Sequence, residues 1–105
     1  MFATIDAPGT RYIKCMIKKD GVYEKISSVN VDKRIYDKSR SHPIKANLQK
    51  VAAEVLSYLS PQQKREIEAV QVEVFRLHYD VQKRSYSYHL INTVVVENTM
   101  NQRAK

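Results

Sequence analysis

The fold is decided by residues 69–99, AVQVEVFRLHYDVQKRSYSYHLINTVVVENT. Val, Ile, Tyr, Phe and Thr alternate with polar residues through much of this stretch, which is typical of β-strands. The alternation breaks at residues 82–85, so the stretch predicts two long strands that fold back at a tight turn. The rest of the chain is expected to pair with this hairpin and to cover it.

The register of the hairpin follows from its alternation. If Val81 pairs with Tyr86 at the turn, His78 faces His89 on the neighbouring strand. Because successive side chains point to opposite faces, tyrosines and leucines then share one face and polar side chains share the other. The valines before residue 75 follow the opposite alternation, so either this end of the hairpin is buried on both sides or a β-bulge lies near Val74-Phe75, and we favour the bulge.

A second hairpin is predicted near the N-terminus. Asp20-Gly21 is the strongest turn signal in the chain, because this dipeptide favours a type I′ turn between paired strands. Pairing across the turn places Ile17 opposite Glu24, which leaves one face mostly apolar. The other face carries lysines among tyrosines, and its basic members are Lys14, Lys18 and Lys25.

The middle of the chain predicts two helices. Residues 43–59 place apolar side chains along one continuous stripe, with Pro43 expected at the first helical position. A short helix should follow, capped by Ser60 and Gln63 in a capping box. The segment before them, residues 31–42, is polar and lacks a clear period, so we predict a loop.

These elements predict an α+β fold. We expect a two-layer sandwich in the order ββααββ, with an antiparallel four-stranded sheet, one long amphipathic helix and one short helix. The tyrosine-rich face of the long hairpin is expected to meet the helix stripe. The exposed outer face would then carry Arg76, His78 and His89 together with Lys14 and Lys18. Because the hairpin is longer than the helix, its uncovered end is expected to form a homodimer.

Composition limits the class of protein. The 105 residues suit a single domain, 1–105, with flexible tails expected at residues 1–9 and 100–105. No apolar run is long enough to span a membrane, and the N-terminus lacks the pattern of a secretory signal, so no membrane partner is expected. Cys15 is the single cysteine. We expect it in the core of a cytoplasmic protein.

The positive charge is concentrated in one part of the sequence. The net charge is +7, and residues 11–40 hold nine Lys or Arg against four Asp or Glu. Such a concentration attracts polyanions, although a solvated face with lysines on edge strands explains it equally well. The residues predicted to bind nucleic acid are Lys14, Lys18 and Lys25 on the sheet, and Lys33, Arg34, Tyr36, Lys38 and Arg40 in the basic loop.

A second candidate site consists of Arg76, His78 and His89. Two facing imidazoles could bind a metal with Asp80, but the neighbouring arginine opposes a cation, so no metal is expected. The chain has only two glycines, so a glycine-rich phosphate loop is absent and no small-molecule cofactor is expected. The same three residues could instead act on a phosphodiester as acid, base and phosphate ligand.

These observations rank three functions. The first is a small non-enzymatic module that binds nucleic acid through its basic loop and its Lys- and Tyr-bearing sheet face. The alternative is a protein-interaction or assembly subunit that forms homo-oligomers through the C-terminal hairpin. The third is a small basic ribonuclease that uses the two histidines.

Overall fold

A computed structural model describes residues 10–26 and 31–99 of the chain. Both expected tails lie outside the described residues. The strands form one antiparallel sheet in the order β2-β1-β3-β4. This confirms the α+β fold and its four-stranded sheet, with three helices where two were predicted. The elements are β1 Arg11–Lys19, β2 Val22–Lys25, α1 Lys33–Ser41, α2 Lys45–Ser57, α3 Pro61–Glu66, β3 Ala69–Asp80 and β4 Ser85–Glu97.

The first hairpin has the predicted register. Ile17 pairs with Glu24, and Lys18 pairs with Tyr23. Asp20 and Gly21 have φ angles of 52° and 79°, as a type I′ turn requires at both central positions. The Asp-Gly dipeptide therefore determines where β1 folds back on β2.

The long hairpin turns at a different pair from the one predicted. Asp80 pairs with Ser85, so His78 faces Ser87 and His89 faces Arg76. The strand ends at Asp80 because its Oδ1 accepts hydrogen bonds from the backbone N–H groups of Gln82 at 3.0 Å and Lys83 at 3.2 Å, which closes the turn. The difference in register is two residues, so the two sets of side chains remain on separate faces.

The predicted bulge is present, and its extra residue lies in β4 and not in β3. Val74 pairs with Asn92 and Phe75 pairs with Leu90, which leaves Ile91 of β4 without a facing residue. Because β3 itself has no insertion, its alternation continues unchanged from the valines to the end of the strand. The residues after Val74 therefore keep the faces that strict alternation assigns to them.

The core forms between the valines of β3 and helix α2. Val70, Val72 and Val74 are fully buried, and they cluster with Cys15 and with one face of α2. The α2 residues in this core are Leu48, Val51, Ala52 and Val55. We call this side of the sheet the helix-side face and the opposite side the outer face.

The predicted assignment of the two sheet faces was therefore wrong. Phe75, Leu77 and Tyr79 alternate with the buried valines, so the tyrosine-rich set lies on the outer face, away from the helices. Arg76 and His78 share the helix-side face with the valines. They are separated from Lys14 and Lys18, which lie on the outer face of β1 opposite buried Cys15.

The predicted loop at residues 31–42 is mostly helix α1. The Asp32 side chain caps it by accepting a hydrogen bond from the backbone N–H of Arg34 at 2.8 Å. Ile35 packs against the core, and the fully buried Ser39 donates to the backbone carbonyl of Asn47 in α2 at 3.1 Å. These tertiary contacts hold a segment whose own apolar pattern is too sparse to predict a helix.

Helix α2 is shorter than predicted, and α3 is as predicted. Ile44 is the N-cap of α2, so Pro43 precedes the helix, and the helix ends at Ser57. In α3 the Ser60 hydroxyl accepts from the backbone N–H of Gln63, whose side chain accepts in return from the N–H of Ser60. The capping box therefore begins α3 with Pro61 at its start, as the sequence indicates.

The packing of α2 can be tested by truncating one buried residue of the helix and, as a control, the exposed apolar residue at its N-cap. Leu48 is completely buried in the core, whereas Ile44 is 57% exposed. We expect Leu48→Ala to lower the free energy of unfolding by about 2–5 kcal/mol, because it leaves a cavity. Ile44→Ala should change it by less than about 0.5 kcal/mol. Urea denaturation measures both, and equal losses would contradict the proposed packing.

Candidate functional site

The outer face carries a contiguous set of aromatic and leucine side chains near the turn of the long hairpin. Tyr12 stacks on Phe75 with ring centroids 5.4 Å apart and meets Tyr88 edge-on at 5.1 Å. The ring centroids of Tyr79 and Tyr86 lie 4.8 Å apart. We call this set the aromatic surface, and its members are Tyr12, Phe75, Leu77, Tyr79, Tyr86, Tyr88 and Leu90.

Strand register brings the aromatic surface together. Tyr12 pairs with Phe75, which pairs in turn with Leu90, so three strands contribute to one row. Leu77 pairs with Tyr88 in the next row. Aromatic cross-strand pairs of this kind stabilise a sheet, and burial among these rings raises the pKa of the Tyr12 hydroxyl.

The tyrosines of the long hairpin remain open to solvent. Tyr86 is 65% exposed, Tyr88 is 59% exposed and Tyr79 is 44% exposed. The described helices pack against the other face of the sheet, so none of them covers these rings. A set of exposed rings this large is typical of a surface that binds another molecule.

Three predicted site lysines share the outer face with the aromatic surface. Lys14 follows Tyr12 along this face of β1 and lies opposite Glu73 of β3. The ammonium of Lys18 is 5.9 Å from the ring centroid of Tyr23 and 3.9 Å from a carboxylate oxygen of Glu68. Lys25 lies on the neighbouring strand β2, where it pairs with Met16 of β1. The three lysines extend from the aromatic surface towards the first hairpin.

The other residues predicted to bind nucleic acid lie on α1, which packs on the helix-side face. Lys33 forms an ion pair with Asp37 at 3.3 Å, and the guanidinium of Arg40 is 5.9 Å from the ring of Tyr36. Arg34 and Lys38 line a groove of about 320 Å³ between α1 and α2. The predicted basic set is thus divided between two sides of the sheet.

The charged side chains that line the groove between α1 and α2 are three cations and one carboxylate. Lys50 of α2 lines it together with the two α1 cations and Asp32. The pKa of Asp32 is lowered, first because its carboxylate accepts the backbone N–H of Arg34 and also because it accepts from the Arg34 side chain. Asp32 is therefore committed to capping α1 and to one of the cations of the groove.

The second candidate site is brought together on the helix-side face of the long hairpin. The rings of His78 and His89 lie 5.3 Å apart and edge-to-face, although the two residues are diagonal neighbours and not a facing pair. Arg76 faces His89, and Ser87 Oγ lies 3.1 Å from His89 Nε2. The residues that the ribonuclease hypothesis requires are therefore neighbours, and the hypothesis itself stays a prediction.

Two parts of these sites were not found from the sequence. The exposure of the hairpin tyrosines was missed because those residues were assigned to the core. Arg11, which faces Arg76 across β1 and β3, was missed because the pairing of β1 with β3 has no local signal. The alternation of both strands restricts their pairing to registers that differ by two residues, and the tertiary structure selects the one that places Arg11 beside Arg76.

The part of the chain that the structure describes shows neither a metal-binding cluster nor a membrane-spanning helix. Among residues 10–26 and 31–99, no group of three His, Cys, Asp or Glu side chains is arranged to hold a metal ion. No helix in that part of the chain has both the length and the apolar character needed to cross a membrane. The chain matches no protein-family model, no curated protein and no solved structure.

Cys15 can be tested as a core residue. It is buried, and burial raises the pKa of its thiol to about 11, so at a pH near 8 only about one thiol in a thousand is the reactive thiolate. We expect a thiol-reactive chromogenic disulfide to modify the folded protein very slowly and the guanidinium-unfolded protein rapidly. Equal rates in the two states would contradict the core assignment.

Proposed function

We propose that this protein binds single-stranded nucleic acid on the outer face of its sheet. Bases would stack on the exposed rings of Tyr79, Tyr86 and Tyr88, and lysines on the same face would attract the phosphates. The observation that carries the proposal is that tyrosine rings in mutual contact remain largely exposed on a face that no described helix covers. The module would act without catalysis.

Stacking would supply the larger part of the contact energy. A base stacked on an aromatic side chain contributes about 1–3 kcal/mol by alanine substitution, and any base can take part because every base has a π-face. Tyr86 and Tyr88 are separated by one residue on β4 and so point to the same face. Their spacing along the strand, roughly 7 Å, leaves room for neighbouring bases to spread over the two rings.

Charge on the outer face would give the binding its dependence on salt. Lys14, Lys18 and Lys25 are the predicted cations on this face, and the chain as a whole carries a net charge of +7. The cations of α1 face away from the aromatic surface. They would add long-range attraction that salt screens, without contacting the same stretch of strand.

The stacking contribution can be measured with a fluorescein-labelled oligothymidylate of roughly twelve nucleotides. In an anisotropy titration, we expect Tyr86→Ala/Tyr88→Ala to weaken binding about tenfold or more, since the loss exceeds about 1.4 kcal/mol. Tyr86→Phe/Tyr88→Phe should keep the wild-type affinity, because phenylalanine also stacks. Tyr58→Ala is the matched control, because Tyr58 is equally exposed at 59% but lies at the end of α2.

The same titration repeated over salt tests the lysines. Each phosphate contact on a single strand contributes about 0.7 to the slope of log affinity against log salt, so replacing Lys14, Lys18 and Lys25 by Gln should reduce the slope by about 2. Replacing Lys33, Lys38 and Lys45 by Gln removes the same charge from the helices and should change the slope less. Wild-type affinity in the Tyr86→Ala/Tyr88→Ala variant of the stacking test would rule out the aromatic surface as the binding site.

A second candidate function, assembly through the C-terminal hairpin, is favoured by the aliphatic side chains of β4. Leu90, Ile91 and Val95 are 50%, 38% and 48% exposed, and aliphatic groups add little to base stacking. Within the described residues, β4 is the last strand of the sheet. An exposed strand edge is a template for pairing with another chain.

Sedimentation velocity separates the two candidates. The assembly hypothesis predicts a dimer that dissociates on dilution, and Leu90→Lys should convert it to a monomer by placing a charge in the interface. The nucleic-acid proposal does not depend on the oligomeric state, so a protein that stays monomeric at all concentrations and binds the oligonucleotide would favour it over the assembly hypothesis. A wild-type monomer at high concentration would therefore discard the assembly hypothesis.

A further inference from the structure

A row of basic side chains crosses the helix-side face in the half of the long hairpin that is nearer its turn. Arg11 of β1 pairs with Arg76 of β3, which pairs with His89 of β4. His78 is the diagonal neighbour of His89, with its ring 5.3 Å away. We call these four residues the Arg–His row. It lies on the opposite side of the sheet from the aromatic surface.

Like charges that face each other across strands destabilise a sheet unless a counter-charge is present. Arg11 has one. Its Nη1 donates to the backbone carbonyl of Arg40 at 2.8 Å and to that of Ser41 at 3.0 Å. These carbonyls lie at the C-terminal end of α1, where the helix dipole is negative and stabilises a cation.

Arg76 has no equivalent compensation. Its Nε is buried and has no hydrogen-bond partner, and no carboxylate within residues 10–26 and 31–99 forms an ion pair with it. A buried donor without an acceptor costs about 1–3 kcal/mol, and more when it belongs to a charged group. An acceptor supplied by a ligand would remove this penalty.

The carboxylates that could have served Arg76 are used elsewhere. Asp80 lies on the same face of β3, but its Oδ1 accepts from the backbone N–H groups of Gln82 and Lys83 and holds the turn. Glu73 lies on the outer face, opposite Lys14. Within the described residues, neither carboxylate therefore serves Arg76, which leaves its Nε beside the two imidazoles without an acidic partner.

We propose that the Arg–His row binds the terminal phosphate group of a phosphate monoester. The guanidinium of Arg76 offers a planar fork of N–H donors that matches two phosphate oxygens. Each imidazole offers at least one further N–H, and the exposed side chain of His89 leaves the ligand open to solvent. A dianion with three terminal oxygens can use all of these donors, and it neutralises the like charges of the row.

The probe for the first test is inorganic phosphate, titrated at constant ionic strength near neutral pH. Nitrogen-15 NMR of the side chains should show saturable shifts of the Arg76 Nε–H and of both imidazoles. Arg76→Gln should weaken binding at least tenfold. Arg34→Gln removes the same charge from a fully exposed position on α1 and should leave the dissociation constant within twofold.

Two results would overturn the proposal. One is a set of shifts that never saturates in the wild-type protein, and the other is an equal affinity of wild type and Arg76→Gln. If Arg76→Gln does not fold, His89→Gln takes its place, because His89 is exposed and its substitution spares the core. Wild-type affinity in that variant would also overturn the site.

The source of the phosphate is decided by comparing ligands. We expect uridine 5′-monophosphate to bind about as well as inorganic phosphate, and uridine to show no saturable shift at the row. A dithymidine monophosphate, whose only phosphate is an internal diester, should bind at least tenfold more weakly. If this diester binds more tightly than uridine 5′-monophosphate, the row does not select a terminal phosphate and the proposal is wrong. Binding of phosphate should persist in Tyr86→Ala/Tyr88→Ala, because the row is separate from the aromatic surface.

Discussion

The structure depends on the burial of three valines, Val70, Val72 and Val74, at the centre of β3. They lie between β1 and β4 and against α2, and none of them is exposed. Each fully buried side chain of this kind contributes about 1.5–3 kcal/mol by removal of apolar area from water. Their alternation fixes which face of the sheet the helices cover. The face on which each remaining residue of β3 lies is then set by the same alternation.

The β-bulge turns this constraint into two chemically different surfaces. Because the extra residue, Ile91, lies in β4, β3 passes through Phe75 without a change of phase. The aromatic residues that follow the valines therefore point away from the helices, and the cationic ones point towards them. An insertion in β3 instead would have buried the rings and exposed Arg76. The strand that holds this extra residue thus decides which side of the hairpin presents the exposed rings and which side presents Arg76 and the two histidines.

The helices divide the charge of the chain in a similar way. In the sequence, the cations of residues 11–40 form one dense region. In the fold, Lys14, Lys18 and Lys25 of β1 and β2 lie on the outer face, while α1 carries its cations behind the sheet and packs through Ile35 and Ser39. Proximity in the chain therefore does not imply a common surface. Under the proposed function, the rings and the lysines of the outer face would contact nucleic acid, and the helices would contribute mainly to the long-range field.

Most features that could be predicted correctly from the residues alone rest on local interactions. The Asp-Gly turn, the capping box at Ser60, the apolar stripe of α2 and the existence of a bulge near Val74 all depend on residues close together in the chain. The tertiary structure alone decided which face of the long hairpin is buried, because alternation separates two faces without saying which one the helix will cover. It also decided that α1 is a helix, since Ser39 reaches Asn47 only after α1 and α2 pack. The pairing of β1 with β3, which places Arg11 beside Arg76 and Tyr12 beside Phe75, joins segments about sixty residues apart and has no signature within either strand.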